Sequence, residues 1–308
     1  MNEVRVPSIP LKGFADAKPF FVCIIFLASL LPMQLRETIK AGSLVREYLI
    51  YIPEQLSQGR LLPVIISLHG TLGSAEQMMN FADFRPLAER EQFFIICPEG
   101  ITQTWNDGRQ TKAHLAGIDD VAFIDELITH LINTYPIDMT RVYITGMSNG
   151  GFMASRLACE IPGRIAAIAA VAATLDRNAG ILPVKPLPVL YIHGTRDPMV
   201  PYTGGPTKAA GGNTYSHEEV VKLWTELDGC TELEVTEIAD LANDGTSIIK
   251  KQYSNPGNKL RVISYTVKGG GHTWPSGPQY ASKYFVGLVS HNLNGCAAIW
   301  DFFKDFSL

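Results

Sequence analysis

Charge is scarce in this sequence and cysteine scarcer: Asp, Glu, Lys and Arg together make up 18% of 308 residues, and there are 5 Cys. The 26 basic residues are outnumbered by 30 acidic ones, for a formal net charge of -4, and no Lys/Arg-rich stripe stands out. A basic footprint for a nucleic-acid backbone is therefore missing, and no nucleic-acid partner is expected. No cysteine pair has metal-ligand spacing, which speaks against a metal site there; the chemistry read from the motifs below calls for no metal and no organic cofactor. Long apolar runs are missing too. The run Phe20 to Leu31 is broken by Ser29 and stopped by Pro32, whereas a bilayer core of ~30 Å needs about 20 residues of helix.

With Lys12 and Lys18 ahead of it, that run suits the core of a secretory signal. Ala28-Ser29-Leu30 is a poor cleavage site, because its third position is not small, and Asp16 dilutes the positive region. The alternative is an amphipathic N-terminal helix packed on the domain. The expected organisation is residues 1–33 as signal peptide or N-terminal apolar segment, and 34–308 as one catalytic domain. Export would leave the protein secreted or periplasmic, with no stable membrane insertion after processing. Of the cysteines, Cys97 and Cys159 lie in apolar surroundings and read as buried thiols, while Cys230 and Cys296 flank loops and could pair in an exported protein.

What is present is apolar and aromatic: 46% hydrophobic residues, with 14 Phe, 11 Tyr and 4 Trp, which is the composition of a folded globular chain. Strand-like runs at 44–52, 62–68, 93–97, 141–145, 165–173, 189–193 and 259–267 alternate with helical periodicity. That alternation predicts an α/β fold with a mostly parallel central sheet covered by helices on both faces. Val121, Ile124, Leu127, Ile128, Leu131 and Ile132 mark one face of a helix, with Asp119 and Asp120 as its capping residues rather than a metal site. A further strand pair is expected within 231–254. Long loops are expected at 101–117, 201–216 and 273–294, each rich in turn-forming residues.

The sharpest motif is Gly146-Met147-Ser148-Asn149-Gly150, between a strand pattern and a helical one. A G-x-S-x-G strand-turn-helix presents its serine on a strained turn, with the helix N-terminus aimed at any oxyanion formed there. Ser148 is therefore the candidate nucleophile of an α/β-hydrolase fold. A serine hydroxyl needs a base and an orienting acid, which in this fold follow in the order Ser, Asp, His. Asp197 lies in the loop after the strand at 189–193, and His272 follows three glycines after the last strand-like run. His193, inside its strand, reads as structural. The oxyanion hole calls for the N–H of Asn149 and one from the loop after 62–68, for which Thr71 is the choice and Leu72 the nearest alternative. Trp105 and Trp274, in loops, are candidate walls for an acyl or aromatic group of the substrate.

Taken together, L-H-G-T-x-G at 68–73, W-N-D-G at 105–108, D-D-V-x-F-I at 119–124, the nucleophile segment at 141–151, H-G-T-x-D-P at 193–198 and G-G-G-H-T-W-P at 269–275 resemble the polyhydroxybutyrate depolymerases and the related feruloyl and acetyl-xylan esterases. The resemblance spans roughly residues 45 to 305. It implies a serine carboxylic-ester hydrolase with Ser148, Asp197 and His272 as triad, acting on small-molecule or polymer-linked esters. Many members carry a cysteine shortly after a tyrosine equivalent to Tyr253; here Asn255-Pro256-Gly257 follows, which leaves Cys230 without the family's usual partner. The same constellation also serves thioesterases, peptidases and acyltransferases, and the fold occurs as a non-catalytic binding module. All three triad positions are filled here, which argues against the last.

Overall fold

Runs of β-branched and aromatic residues without intervening turn formers can bury both faces of a strand, and the middle of this chain is built from them. A computed structural model describes residues 33–308 except 55, 57, 58, 209 and 258–260. The apolar run Phe20 to Leu31 lies outside the described residues. Among the described residues no helix is long and apolar enough to cross a membrane.

The strands are β1 (Met33–Ala41), β2 (Leu44–Ile52), β3 (Leu62–Leu68), β4 (Phe94–Pro98), β5 (Ile137–Met147), β6 (Ala167–Val171), β7 (Val189–Gly194), the short β8 (Gly205–Pro206) and β9 (Asn213–Thr214), β10 (Glu232–Ile238), β11 (Ser247–Ser254) and β12 (Arg261–Lys268). Ten form one sheet in the order β1-β2-β4-β3-β5-β6-β7-β12-β11-β10. From β4 through β12 every neighbouring pair is parallel, while β1, β2, β10 and β11 add antiparallel margins. The runs at 44–52 and 62–68 are strands over those residues, and the pair expected within 231–254 continues the main sheet. β1 had not been anticipated. Its residues alternate between half-buried and exposed, but Glu37 takes an inward position, where it accepts the Tyr48 hydroxyl at 2.5 Å.

Helices cover both faces. On one side α1 (Ala75–Phe81), α2 (Arg85–Glu91) and the C-terminal helix Gly295–Phe303 pack against Ile65, Ile95, Tyr143 and Ile192. There Phe303 stacks on Tyr143 with ring centroids 4.8 Å apart. The loop at 101–117 contributes a 3-10 turn (Ile101–Gln103) and the short α3 (Lys112–Leu115). On the other side α4 (Asp120–Thr134), α5 (Asn149–Glu160) and α6 (His217–Leu227) pack against Val64, Ile66, Ile144 and Tyr191. The helical face expected at 121–132 is the buried face of α4, joined by Phe123.

Only half of the capping expectation holds. Asp119 is the N-cap and accepts the Ala122 N–H at 3.0 Å. Asp120 is fully buried: one carboxylate oxygen meets Arg46 Nη2 at 2.8 Å and the other accepts the Asn106 N–H at 2.7 Å. It thereby pins the loop after β4 to β2. Cys230 and Cys296 are both free thiols, each associated with a different core cluster on opposite faces of the sheet, so the pairing considered for them is not made.

Asp228, next after α6, is 2% exposed; one oxygen accepts the Leu187 N–H at 3.2 Å and the other has no partner. Burial pushes its carboxyl up to about 7. An unfolded aspartate titrates near ~3.9, so between about pH 4 and 7 the folded state holds a proton that the unfolded state has released, and stability falls as pH rises through that window. Asp228→Asn should therefore stabilise the protein at pH 8 relative to pH 5, by on the order of 2–4 kcal/mol, read by denaturant unfolding at both pH values. An effect of equal size at both would contradict this.

Candidate active site

Parallel strands that share a direction end on one edge of the sheet, and that edge gathers the loops after β3, β5, β7 and β12. His69 to Gly73, Ser148, Asp197 and His272 lie in or directly after those loop starts. The edge therefore brings together residues separated by up to 203 positions.

Ser148 joins β5 to α5 at φ 56°, ψ -123°, the strained turn expected of G-x-S-x-G. Its N–H donates to Val171 O at 2.9 Å, and its carbonyl accepts the Phe152 N–H at 2.9 Å, which opens the helix. The turn is tight enough to demand glycine: an ideal Cβ on Gly150 would lie 2.1 Å from Leu68 O and 2.6 Å from His69 O. An ideal Cβ on Gly70 would lie 3.5 Å from Ser148 Cβ, so the loop after β3 runs against the serine.

His272 and Asp197 meet in the interior, His272 Nδ1 donating to Asp197 Oδ2 at 2.8 Å with both side chains buried. The other oxygen, Oδ1, accepts the N–H groups of Met199 and Val200, each at 2.8 Å. His193 is structural, as expected, but it also faces the acid: its Nε2–H donates to Val200 O at 3.0 Å and lies 3.3 Å from Asp197 Oδ2. Burial opposes charge on Asp197, yet His272 and His193 outweigh it and hold the carboxyl well below the usual carboxylate range. The carboxylate's contribution to stability is thus present above the unfolded value near ~3.9 and is lost only as pH falls well below it. The glycines before His272 serve close approach, since an ideal Cβ on Gly271 would lie 2.1 Å from Val286 O. The His272 N–H in turn donates to Val286 O at 2.6 Å. Among the described residues Ser148 Oγ and His272 Nε2 share no hydrogen bond, and such contacts often tighten only when substrate is present.

The Leu72 N–H donates to Gln103 O at 2.9 Å and is thereby occupied, whereas the Thr71 N–H has no acceptor among the described residues. Asn149 is the first residue of α5, where a backbone N–H has no intrahelical partner. His69, in the same loop, is held as a neutral imidazole: burial lowers its pKa, Nε2 accepts the Gly100 N–H at 2.9 Å, and Nδ1–H donates to Gly70 O at 2.8 Å.

Both tryptophans lie in loops, as expected, but neither ring is open to a substrate. Trp105 has no exposed surface; it lies between His69 and Phe123, and its Nε1–H donates to His69 O at 2.9 Å. Trp274 is 1% exposed, edge-on to Phe81 and Phe84 at 6.5 and 6.2 Å. Loop position suggested exposure, but these loops are packed against the core. Apolar side chains that do reach solvent include Leu115 on α3, Leu72 beside Thr71, and Tyr280, Tyr284 and Phe285 on the segment that follows His272. The Tyr280 hydroxyl donates to the His272 carbonyl at 3.0 Å. The buried pair Asp107 and Arg109 was also overlooked, although the W-N-D-G motif had marked its place.

The family model described as Esterase PHB depolymerase matches residues 46–181. NocK of Nocardia uniformis subsp. tsuyamanensis, a protein named as an esterase, is 33% identical over 282 residues, covering 87% of this chain and 81% of its own. Feruloyl esterase B of Piromyces equi is 25% identical over 85% of this chain, which spans only 46% of that protein. Among solved structures, the acetyl xylan esterase from Aspergillus awamori superposes with a TM-score of 0.54 at 17% identity, over 78% of this chain and 94% of its own. At that identity the likeness concerns the fold, which is that of the α/β-hydrolases.

Because the serine turn leaves no room beside Gly150, Gly150→Ala should displace the loop after β3 or the helix start. The expected cost is about 1–3 kcal/mol or more, seen as a lowered melting temperature with loss of ester turnover. A variant with native stability and turnover would show the contact to be soft.

Proposed function

The chain belongs to the PHB-depolymerase-type esterase family, a group of serine carboxylic-ester hydrolases, and from that premise we propose that Ser148, His272 and Asp197 carry the reaction. The observation that carries this reading is the buried 2.8 Å bond between His272 Nδ1 and Asp197 Oδ2. It fixes the imidazole tautomer with Nε2 unprotonated, the form able to take a proton from a serine hydroxyl.

In the reaction, Ser148 Oγ adds to the ester carbonyl while its proton passes to His272 Nε2. The carbonyl oxygen becomes an oxyanion held by the N–H groups of Thr71 and Asn149. Collapse expels the alcohol, which takes the proton from His272 and leaves an acyl-serine. Water then adds to the acyl carbon, giving its proton to the same nitrogen, and the acid departs as Ser148 regains its hydrogen. Asp197 stays ionised throughout and stabilises the imidazolium. With Trp105 and Trp274 buried, the candidates for the surface that an acyl or alcohol group meets are the exposed Leu72, next to Thr71, and Tyr280 and Phe285, on the segment after His272. Their apolar character favours an ester with a bulky apolar or aromatic part, on a small molecule or at a polymer chain.

Purified protein should hydrolyse p-nitrophenyl butyrate with a higher kcat/KM than a matched thioester or anilide. Ser148→Ala should remove turnover by about 10⁵-fold or more while leaving the melting temperature unchanged. Asp197→Asn, which permits the wrong tautomer of His272, should lower kcat by about 10⁴-fold. Preference for the anilide, or turnover retained in Ser148→Ala, would overturn the assignment.

A further inference from the structure

Trp105 is too deeply buried to touch a substrate, yet every polar atom it has is spent on the two sides of the candidate oxyanion hole. Its indole Nε1–H donates to the carbonyl of His69, at the root of the loop that carries Thr71. Its backbone N–H donates to Asn149 Oδ1 at 2.7 Å, and its carbonyl accepts Asn149 Nδ2 at 3.0 Å, a two-point clamp on the side chain of the other proposed donor. We propose that Trp105 is a positioning residue that sets the placement of the Thr71 and Asn149 N–H groups relative to each other, with Asp107 and Arg109 locking the clamp. The proposal rests on the assignment of Ser148 as nucleophile and of these two N–H groups as oxyanion donors.

The geometry of the lock is specific. Asn149 Nδ2 also donates to Asp107 Oδ2 at 2.6 Å. The same carboxylate is gripped by Arg109 through Nε at 3.0 Å and Nη2 at 2.5 Å, and it accepts the Arg109 N–H through Oδ1 at 3.0 Å. The guanidinium carbon lies over the Phe152 ring, 3.6 Å from its centroid, so the pair is seated on α5 itself. Thr111 Oγ1 donates to the Trp105 carbonyl at 2.9 Å, which closes the segment on itself. On the other side, His69 passes the restraint forward through Nδ1–H to Gly70 O, one residue before Thr71. Trp105, 44 residues before Asn149 in the chain and about 30 after the loop that carries Thr71, thus bridges the two donors.

This arrangement has a reason in the chemistry. Oxyanion donors act by being in place before charge develops, and a small misplacement costs rate without changing how substrate binds. Asn149 is held by α5 and Thr71 by a surface loop with Leu72 at φ 63°. The pairing of β3 with β5 and the contact of Gly150 with Leu68 O fix the roots of the loop and of the helix, and Trp105 adds a further link between them from beneath, through the His69 carbonyl and the Asn149 side chain.

The test uses Trp105→Phe, which keeps a ring against Phe123 and removes the Nε1–H, and Asp107→Asn, which weakens the Asn149 clamp without touching Trp105. Each is assayed for kcat and KM with p-nitrophenyl butyrate and for inhibition by butaneboronic acid, whose tetrahedral serine adduct places an oxygen in the oxyanion hole. The melting temperature and labelling by a fluorophosphonate are measured in parallel. The expected result is a fall in kcat of about ten- to a hundredfold in Trp105→Phe, less than loss of a whole donor, with KM nearly unchanged. Boronate affinity should weaken by a similar factor, and Asp107→Asn should show the same pattern more weakly. Native kcat and boronate affinity in a folded Trp105→Phe, with only a lower melting temperature, would overturn the proposal by making the residue purely structural. If Trp105→Phe does not fold, Asp107→Asn decides the matter on the same readouts. Failure of the wild-type protein to take the fluorophosphonate at Ser148 would instead overturn the nucleophile assignment on which the proposal rests.

Discussion

A serine held at φ 56°, ψ -123° is in a conformation that costs a non-glycine residue on the order of 1–3 kcal/mol, and the structure supplies that energy from several directions. β5 delivers the chain to the turn already paired on both sides, by β3 and β6. Val171 O takes the Ser148 N–H, and α5 begins at once with its first bond to the Ser148 carbonyl. The backbone of β3 presses against Gly150 so closely that no side chain fits there. Strand, helix and neighbouring strand therefore over-determine one residue, and the partner loops are arranged around it.

The proposed site divides into an acid–base half and an oxyanion half, which are stabilised differently. The acid–base half is an electrostatic structure: Asp197 is kept ionised in the interior by His272, His193 and two backbone N–H groups, so the carboxylate has the partners that a buried charge requires. The oxyanion half is a hydrogen-bonded scaffold of neutral groups, His69, Trp105 and Asn149, backed by one buried ion pair between Asp107 and Arg109. A second buried pair, Arg46 with Asp120, anchors the same loop through the Asn106 N–H, between Trp105 and Asp107. The W-N-D-G and D-D-V-x-F-I motifs are in this sense parts of one support.

Much of this was legible because strands buried on both faces read as continuous apolar runs; the parallel β3 emerged with the residues its composition marked, and so did the antiparallel β2. The serine turn was legible for a related reason, since small residues flanking a serine between strand and helix leave few other uses for the pattern. β1 escaped notice because its inward face carries Glu37, whose partner Tyr48 only appears once β2 is paired with it. Trp105 and Trp274 were misread because position in a loop says nothing about whether the loop folds back on the core. Asp120 was misread as a cap for the same reason: its partner Arg46 is 74 residues away, a distance at which one sequence carries no signal. The cysteines followed suit, since Cys230 and Cys296 belong to opposite faces of a sheet whose order could not be derived from spacing.

The account stands on an acyl group passing through one serine, and the most direct measurement is to trap it there. The protein is quenched in acid during steady-state hydrolysis of p-nitrophenyl acetate, digested, and its peptides are mapped by mass spectrometry. The account predicts one acetyl group on the peptide that contains Ser148, formed within the first turnover and lost when substrate is exhausted. Steady turnover with no acyl group on Ser148, or with the acyl group on a different residue at the rate of turnover, would contradict it.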